Sequence, residues 1–237
     1  MMRIFLAALL LFGGVAGAAA RDELADVRTA DGAKFTYLLT TNDPAGPRYA
    51  VILMPGGAGK LEPHLDKGKI VFSYGGNFLI RTRTLFADAK IVAASTDATS
   101  TPARIRAIAA DLQKRFGKLA IYVVGTSNST NATLTLAESM DGEVAGFIHT
   151  SSFNRISSFD PRKLKSRNLI VVHEKDVCRF TLPSNGQASS KKYGTDLIVM
   201  EGGRTTGDEC EAYAYHGYNG IERETVARIK EWIAKGP

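Results

Sequence analysis

Short apolar runs alternate with helical segments along this chain, and this alternation constrains its fold more than any other feature. The runs with the apolar, often β-branched composition of buried strands are 49–53, 91–94, 119–124, 144–148, 168–172 and 196–200. Helical character is found in 77–89, 102–116, 131–140 and 225–234. Strands that alternate with helices form βαβ units, so the sequence predicts an α/β fold with a mostly parallel sheet.

Turn and capping signals mark the ends of several elements. The Ala30-Asp31-Gly32 turn predicts a hairpin that leads into a strand at 35–39. Thr101 and Pro102 are typical of the N-cap and the first residue of a helix. Ligands of parallel α/β sheets bind beyond the carboxyl ends of the strands, so we expect functional residues directly after the apolar runs.

The N-terminus has the order of a secretory signal peptide. Arg3 supplies a basic start, residues 4–20 carry no charge, and the run ends in alanines at 18–20. A membrane-spanning helix is the alternative, but the run is shorter than the roughly 20 apolar residues such a helix needs. The sequence therefore predicts a signal peptide at 1–20 and a single domain at 21–237. The mature protein is expected to be periplasmic or secreted, with no stable membrane anchor.

Charge and composition exclude some classes of partner. The formal net charge is +6, and the basic residues are spread along the chain. The densest groups are Arg81 with Arg83 and the stretch 163–167, and neither is interleaved with aromatic residues. We interpret both as solvated faces and expect no nucleic-acid partner. No pattern specifies an oligomeric state.

The cysteines predict a disulfide rather than a metal site. Cys178 and Cys210 form an even pair, which in an exported protein indicates a bridge, with two buried thiols as the alternative. Neither a metal nor a cofactor is expected, because the histidines are scattered and lack an HExxH spacing: His64, His149, His173 and His216.

The segment Gly125-Thr126-Ser127-Asn128-Ser129 lies between a predicted strand and a predicted helix. A nucleophile elbow needs this arrangement, because its serine occupies a strained turn that requires small residues two positions before and after. Gly125 meets this requirement, and Ser129 stands where glycine is usual but is also small. A polar turn that caps the helix is the alternative. The context favours Ser127 as a nucleophile.

An acid and a base follow Ser127 in the order serine, acid, histidine. Asp176 comes shortly after the run 168–172, where a carboxylate can orient an imidazole. Glu174 is the rival acid but lies nearer the strand end. His216 lies between the last predicted strand and the terminal helix, where a general base is expected.

The two histidines at or near the ends of predicted strands, His149 and His173, fit the role of the base less well than His216. His173 precedes the acid, which is the wrong order, and His149 is expected to be packed or to line the pocket.

A glycine-rich loop after the run 49–53 can stabilise an oxyanion. Backbone N–H groups of Gly56, Gly57 and Asn128 are the predicted donors. A phosphate-cradling loop is the alternative, but Lys60 is followed by Leu61 and not by the Ser or Thr of a Walker A motif.

Together these motifs resemble the α/β-hydrolase superfamily over nearly the whole mature chain, and more narrowly small exported bacterial α/β-hydrolases. The resembling pieces are Met54-Pro55-Gly56-Gly57, Asn77-Phe78-Leu79, Gly125-Thr126-Ser127-Asn128-Ser129, His173 to Cys178, and Cys210 with His216-Gly217-Tyr218. The resemblance implies an eight-stranded, mostly parallel sheet flanked by helices. It also implies that Ser127, Asp176 and His216 form a catalytic triad. The interval 151–167 is too short for a lid domain, so an open site is expected.

The predicted function is that of an exported serine hydrolase acting through an acyl-enzyme on a small carboxylic ester or related acyl substrate. Peptide, amide or thioester cleavage is an alternative within the same chemistry. A binding protein without turnover is an alternative from another class, because one fold can serve many functions.

Overall fold

The computed structural model describes residues 19–236. Its strands, in chain order, are β1 (Arg21–Arg28), β2 (Lys34–Thr41), β3 (Tyr49–Met54), β4 (His64–Asp66), β5 (Lys69–Val71), β6 (Ile91–Ser95), β7 (Ala120–Thr126), β8 (Gly146–Thr150), β9 (Arg167–His173) and β10 (Asp196–Met200). Its α-helices are α1 (Phe78–Arg81), α2 (Arg83–Phe86), α3 (Pro102–Phe116), α4 (Thr130–Ser139), α5 (Pro183–Tyr193) and α6 (Glu222–Ala234).

Eight of these strands form one sheet in the order β1-β2-β6-β3-β7-β8-β9-β10. The pairs β1–β2 and β2–β6 are antiparallel, and all other neighbours in this sheet are parallel. β4 and β5 form a separate hairpin. The predicted α/β fold with a mostly parallel, eight-stranded sheet is confirmed.

Helices cover both faces of the sheet, which explains why its central strands β3, β7, β8 and β9 are buried along nearly their whole length. Within β3, Ala50 and Ile52 point into one core, and Val51 and Leu53 point into the other. The first core receives side chains from α3 and α4, and the second from α1, α2 and α6. The carboxyl ends of the parallel strands are thereby left free to carry a site.

Two element boundaries predicted from the sequence are wrong. The single helix predicted at 77–89 is two short helices, because Thr82 ends α1 and its hydroxyl donates to the carbonyl of Phe78 at 2.7 Å. Such back-bonding by threonine competes with regular helix geometry. The strand predicted at 144–148 is shifted to Gly146–Thr150, where it pairs in register with β7.

Helix α5 has no counterpart in the sequence prediction. Its segment lacks an apolar stripe, so periodicity could not reveal it. Gly186 makes the packing possible: a Cβ there would lie 2.9 Å from side-chain atoms of both Ile170 and Val172. The helix therefore rests its own backbone on β9. Pro183 at its start and Gly194 at its end were the local signals available.

The connection from β8 to β9 contains only two short 3-10 turns, Asn154–Ser158 and Pro161–Lys163. This interval holds no lid domain, as the sequence predicted. Of the predicted signal peptide, residues 1–18 lie outside the described residues. Within 19–236, no helix combines the length and the apolar character that a membrane span requires.

Candidate active site

Ser127 lies at the carboxyl end of β7, in the 3-10 turn Ser127–Ser129 that leads into α4. Its φ is +53°, a left-handed conformation that costs a non-glycine residue about 1–3 kcal/mol. The strain places a half-buried serine at the edge where ligands of such sheets bind. This is the geometry that a nucleophile elbow requires.

Ser129 occupies the elbow position where glycine is usual, and its hydroxyl fits between the ends of β3 and β7. The Oγ atom accepts from the N–H of Thr126 at 2.7 Å. It lies 2.9 Å from the carbonyl oxygen of Met54 and 3.0 Å from that of Thr126, to which it can donate. The side chain is buried and fully hydrogen-bonded, so it stabilises the turn rather than obstructing it.

The glycine-rich loop after β3 packs directly on this turn. A Cβ on Gly56 would lie 2.8 Å from the carbonyl oxygen of Thr126 and 3.0 Å from Cβ of Ser127, so only glycine fits. The side-chain Nδ2 of Asn128 donates to the carbonyl of Gly57 at 2.8 Å and holds the loop to the turn.

Unpaired amides lie in the glycine-rich loop that packs against the turn of Ser127. Within residues 19–236, the N–H groups of Gly56 and Gly57 donate to no protein acceptor. The N–H of Asn128 belongs to the first turn before α4, where backbone amides lack intrahelical partners. Such preorganised donors suit a tetrahedral oxyanion.

His216 and Asp176 are hydrogen-bonded to one another and buried. His216 Nδ1 lies 3.0 Å from Asp176 Oδ2, and both side chains are less than a tenth exposed. The other carboxylate oxygen accepts from the N–H of Cys178 at 2.9 Å. In the tautomer whose Nδ1–H donates to this carboxylate, Nε2 is unprotonated and can accept a proton.

The loop of His216 is joined to the sheet one strand away from the elbow. Thr126 pairs with Thr150 at the ends of β7 and β8. Ser151, the next residue, donates its hydroxyl to the carbonyl of His216 at 2.6 Å. In the described part of the chain, Ser127 Oγ makes no hydrogen bond to His216. Catalytic hydrogen bonds of this kind often tighten only in the substrate complex.

No protein-family model matches this chain, and no curated protein matches it in sequence. Its structure, however, is similar to those of many solved proteins. A dienelactone hydrolase from Anabaena variabilis superposes with a TM-score of 0.66 at 12% identity, covering 92% of this chain and 99% of that one. The esterase domain of a Rhodothermus marinus protein gives 0.62 at 10% identity, covering 91% and 99%. An α/β serine hydrolase without a lid from Xanthomonas campestris gives 0.56 at 11% identity, covering 88% and 94%.

The chain has the α/β-hydrolase fold. The resemblance seen in the sequence is thus confirmed at the level of the fold, including the absence of a lid domain between β8 and β9.

Glu174 and His173, the alternatives to Asp176 as the acid and to His216 as the base, are bound to other groups. Glu174 is exposed and lies 3.7 Å from Nζ of Lys175. His173 donates from Nε2 to the carbonyl of Gly202 at 3.0 Å, and its Nδ1 accepts from the N–H of Lys175 at 3.0 Å. Since both ring nitrogens are used, His173 holds the loop after β10.

His149 is packed inside the protein, as expected from the sequence. Its Nδ1 lies 2.7 Å from Oγ1 of Thr133, and its Nε2 lies 3.2 Å from Oδ1 of Asn168. Complete burial lowers the pKa of His149 to about 4, so the ring is neutral at physiological pH.

The low pKa of His149 predicts a loss of stability in mild acid. Between pH 6.5 and 4 the unfolded chain takes up a proton that the buried ring does not, so the free energy of unfolding falls as pH decreases. The fall is about 3 kcal/mol for this group. Burial also lowers the pKa of His173, which adds a change of the same sign. Urea titrations at several pH values should show a flatter profile for His149→Gln.

His64→Gln is the matched control, because this histidine is exposed. A profile for His149→Gln as steep as that of His64→Gln would contradict the assignment.

Ser129 provides a second stability prediction. Ser129→Ala leaves the buried N–H of Thr126 without its acceptor, so the free energy of unfolding should fall by about 1–3 kcal/mol. Ser139→Ala removes a similar hydroxyl from the exposed end of α4 and should change it far less. Chemical denaturation measures the free energy of unfolding of both variants. An equal decrease in the two would refute the structural role of Ser129.

Two contributors to the site, Thr181 and Arg81, were not predicted. Thr181 is buried, donates to Asp176 Oδ2 at 3.0 Å and lies 3.0 Å from His216 Nδ1. Arg81 donates to the carbonyl of Gly217 at 2.6 Å, beside His216. No sequence signal distinguished Thr181, because a lone threonine in a loop is common.

The interpretation of Arg81 and Arg83 as a solvated face is wrong. Both are mostly buried and paired: Arg81 with Glu222 at 3.0 Å, and Arg83 with Asp22 at 2.6 Å. Because the helix is interrupted at Thr82, the side chains of Arg81 and Arg83 point in different directions and bind different carboxylates.

A disulfide joins Cys178, beside the carboxylate of Asp176, to Cys210 in the loop that leads to His216. The two cysteines are 32 residues apart, and closing a loop of this length stabilises by about 3–4 kcal/mol in the chain-entropy model. Among the described residues, the one cluster with metal-ligand atoms consists of Asp176, Cys178 and His216. The bridge occupies the cysteine sulfur of that cluster.

Reduction of this bridge should impair the site before the fold is lost. Once it opens, no covalent bond holds the loops of Asp176 and His216 together, so the ester hydrolysis predicted from the sequence should fall at reductant concentrations that leave the circular dichroism spectrum unchanged. Parallel titrations of activity and ellipticity measure both quantities. Coincident loss of the two would contradict this prediction.

Proposed function

We propose that the protein is an exported serine hydrolase that cleaves a small carboxylic ester or a related acyl bond. The observation that carries the proposal is the buried Asp176–His216 hydrogen bond next to an elbow whose serine has a φ of +53°. The structurally similar proteins include a dienelactone hydrolase and an esterase domain, which is consistent with this chemistry.

In the proposed reaction, Ser127 Oγ attacks the carbonyl carbon while His216 Nε2 accepts the hydroxyl proton. The amides of Gly56, Gly57 and Asn128 stabilise the negative oxygen of the tetrahedral intermediate. Its collapse breaks the bond to the alcohol, which takes the proton from His216 and leaves an acyl-enzyme. Water then attacks, His216 accepts its proton, and collapse returns the proton to Ser127 and releases the carboxylic acid.

Export is part of the proposal. It rests on the signal-like residues 1–20 and on the disulfide, which forms and persists in oxidising compartments. The short β8–β9 connection leaves the site open, which suits small esters or ester groups that project from larger molecules.

A fluorophosphonate tests the nucleophile directly, because it reacts with an activated serine and not with ordinary hydroxyls. The folded, oxidised protein should gain one label, and peptide mass spectrometry should locate it at Ser127. Ser127→Ala and heat-denatured protein are the controls and should remain unlabelled. Absence of labelling in the folded protein would favour a binding protein without turnover.

A further inference from the structure

A polar cavity lies beside the glycine-rich loop, outside the proposed triad. Its volume is about 380 Å³. Gly57 and Asn128 form part of its wall and also belong to the proposed oxyanion site. The rest of its polar lining comes from the loop before α3, the elbow turn, the first half of α4 and the turn 154–158: Thr99, Ser100, Ser129, Asn131, Thr135 and Arg155.

Arg155 is the charged residue of this lining, and no carboxylate lies in it. Its side chain is exposed, and within residues 19–236 its guanidinium makes neither an ion pair nor a hydrogen bond. The cavity therefore presents an uncompensated positive charge among amide and hydroxyl groups.

The turn that carries Arg155 is fixed relative to Ser127. The N–H of Phe153 donates to Oγ1 of Thr130 at 2.9 Å, and that hydroxyl donates to the carbonyl of Ser127 at 2.6 Å. Asn154 accepts from the N–H of Leu182 at 2.9 Å through its side chain. These bonds give the backbone of Arg155 a defined place in the wall of the cavity.

We propose that this cavity is a subsite for a carboxylate on the acyl or the alcohol part of the ester, with Arg155 as its specificity-determining residue. The inference rests on the proposed hydrolytic function and adds the substrate class to it. A guanidinium binds a carboxylate through two parallel hydrogen bonds, which a neutral group cannot reproduce. Asn131 lies in the same wall and offers further polar contact.

Two pairs of esters that differ only in charge test the proposal. The p-nitrophenyl monoester of adipic acid carries the charge on the acyl side, and its methyl diester is the neutral partner. On the alcohol side, 4-acetoxybenzoate is paired with its methyl ester. The ratio of kcat/KM for anionic over neutral ester is measured in the wild type, Arg155→Gln, Arg155→Lys and Lys163→Gln. Lys163 is an exposed cation outside the cavity and controls for net charge.

We expect Arg155→Gln to lower this ratio by about tenfold for one of the pairs, because kcat/KM for the anionic ester should fall far more than kcat/KM for the neutral ester. An exposed charge is screened by salt, so the effect should shrink as ionic strength rises. Arg155→Lys should retain part of the ratio, and Lys163→Gln should retain all of it. Equal ratios in Arg155→Gln and Lys163→Gln for both pairs would overturn the subsite while leaving the hydrolytic proposal intact.

Binding to Ser127→Ala separates the subsite from turnover. Calorimetry with 4-acetoxybenzoate and with monomethyl adipate should show binding that is lost in the double variant with Arg155→Gln. If no ester is hydrolysed but this Arg155-dependent binding is present, the proposed function fails and the anion subsite stands. If the anions bind equally well without Arg155, or not at all, the subsite is refuted.

Discussion

Ser127→Ala should lower kcat for p-nitrophenyl butyrate by about 10⁴- to 10⁶-fold, the largest effect expected of any single change. The substitution removes the atom that would form the acyl-enzyme but adds no bulk to the strained turn. The hydrogen bonds of Ser129, which hold that turn, do not involve the Ser127 side chain. We therefore expect the fold and the melting temperature to be close to those of the wild type.

Ser139→Ala makes the same chemical change on the exposed end of α4 and should leave kcat unaltered. Stopped assays with purified protein are needed at this level, because traces of a host esterase would mask a loss of this size. Hydrolysis by Ser127→Ala at the wild-type rate would refute the nucleophile. A loss in both variants would point to instability and not to chemistry.

Asp176→Asn should lower kcat by about 10⁴-fold. Both oxygens of this carboxylate accept hydrogen bonds: Oδ2 from His216 and Thr181, and Oδ1 from the N–H of Cys178. The asparagine side chain has only one acceptor atom. Its NH₂ group must therefore face either the N–H of Cys178 or the pair of donors formed by Thr181 and the imidazole of His216. In the second arrangement His216 is held in the tautomer whose Nε2 carries the proton and cannot serve as a base.

Glu174→Gln is the matched control, since it makes the same change at the rival acid two residues earlier. Glu174 is exposed and contacts Lys175, so its loss should leave kcat within about twofold of wild type if surface ion pairs contribute as little as usual. Steady-state kinetics of both variants at one pH decide between them. A larger loss in Glu174→Gln than in Asp176→Asn would reverse the choice of acid.

The order of the elements could be predicted from the sequence because a strand that is buried on both faces of the sheet consists mostly of apolar residues. β3, β7 and β9 are rich in apolar residues and buried along nearly their whole lengths. The strand–turn–helix context of Ser127 was likewise visible in the sequence alone. Elements without such a pattern were missed. α5 packs through Gly186 and not through an apolar stripe, so its local sequence resembled a polar loop.

The site was predictable to the extent that it depends on chain order. Serine, acid and histidine follow β7, β9 and β10 in that order, and strand ends in a parallel sheet lie on one edge, so the sequence by itself indicated Ser127, Asp176 and His216 as candidates. It also determined that Ser129 must be small.

Only the tertiary structure decided which groups touch. It placed Asp176 rather than Glu174 against His216, sent Arg81 to the carbonyl beside that histidine, and left Arg155 unpaired in a polar cavity. These contacts join residues far apart in the chain, and each depends on side-chain directions set by packing. The hydrophobic periodicity of a helix or strand indicates which of its faces is buried. It does not specify which residues from distant parts of the chain contact that face.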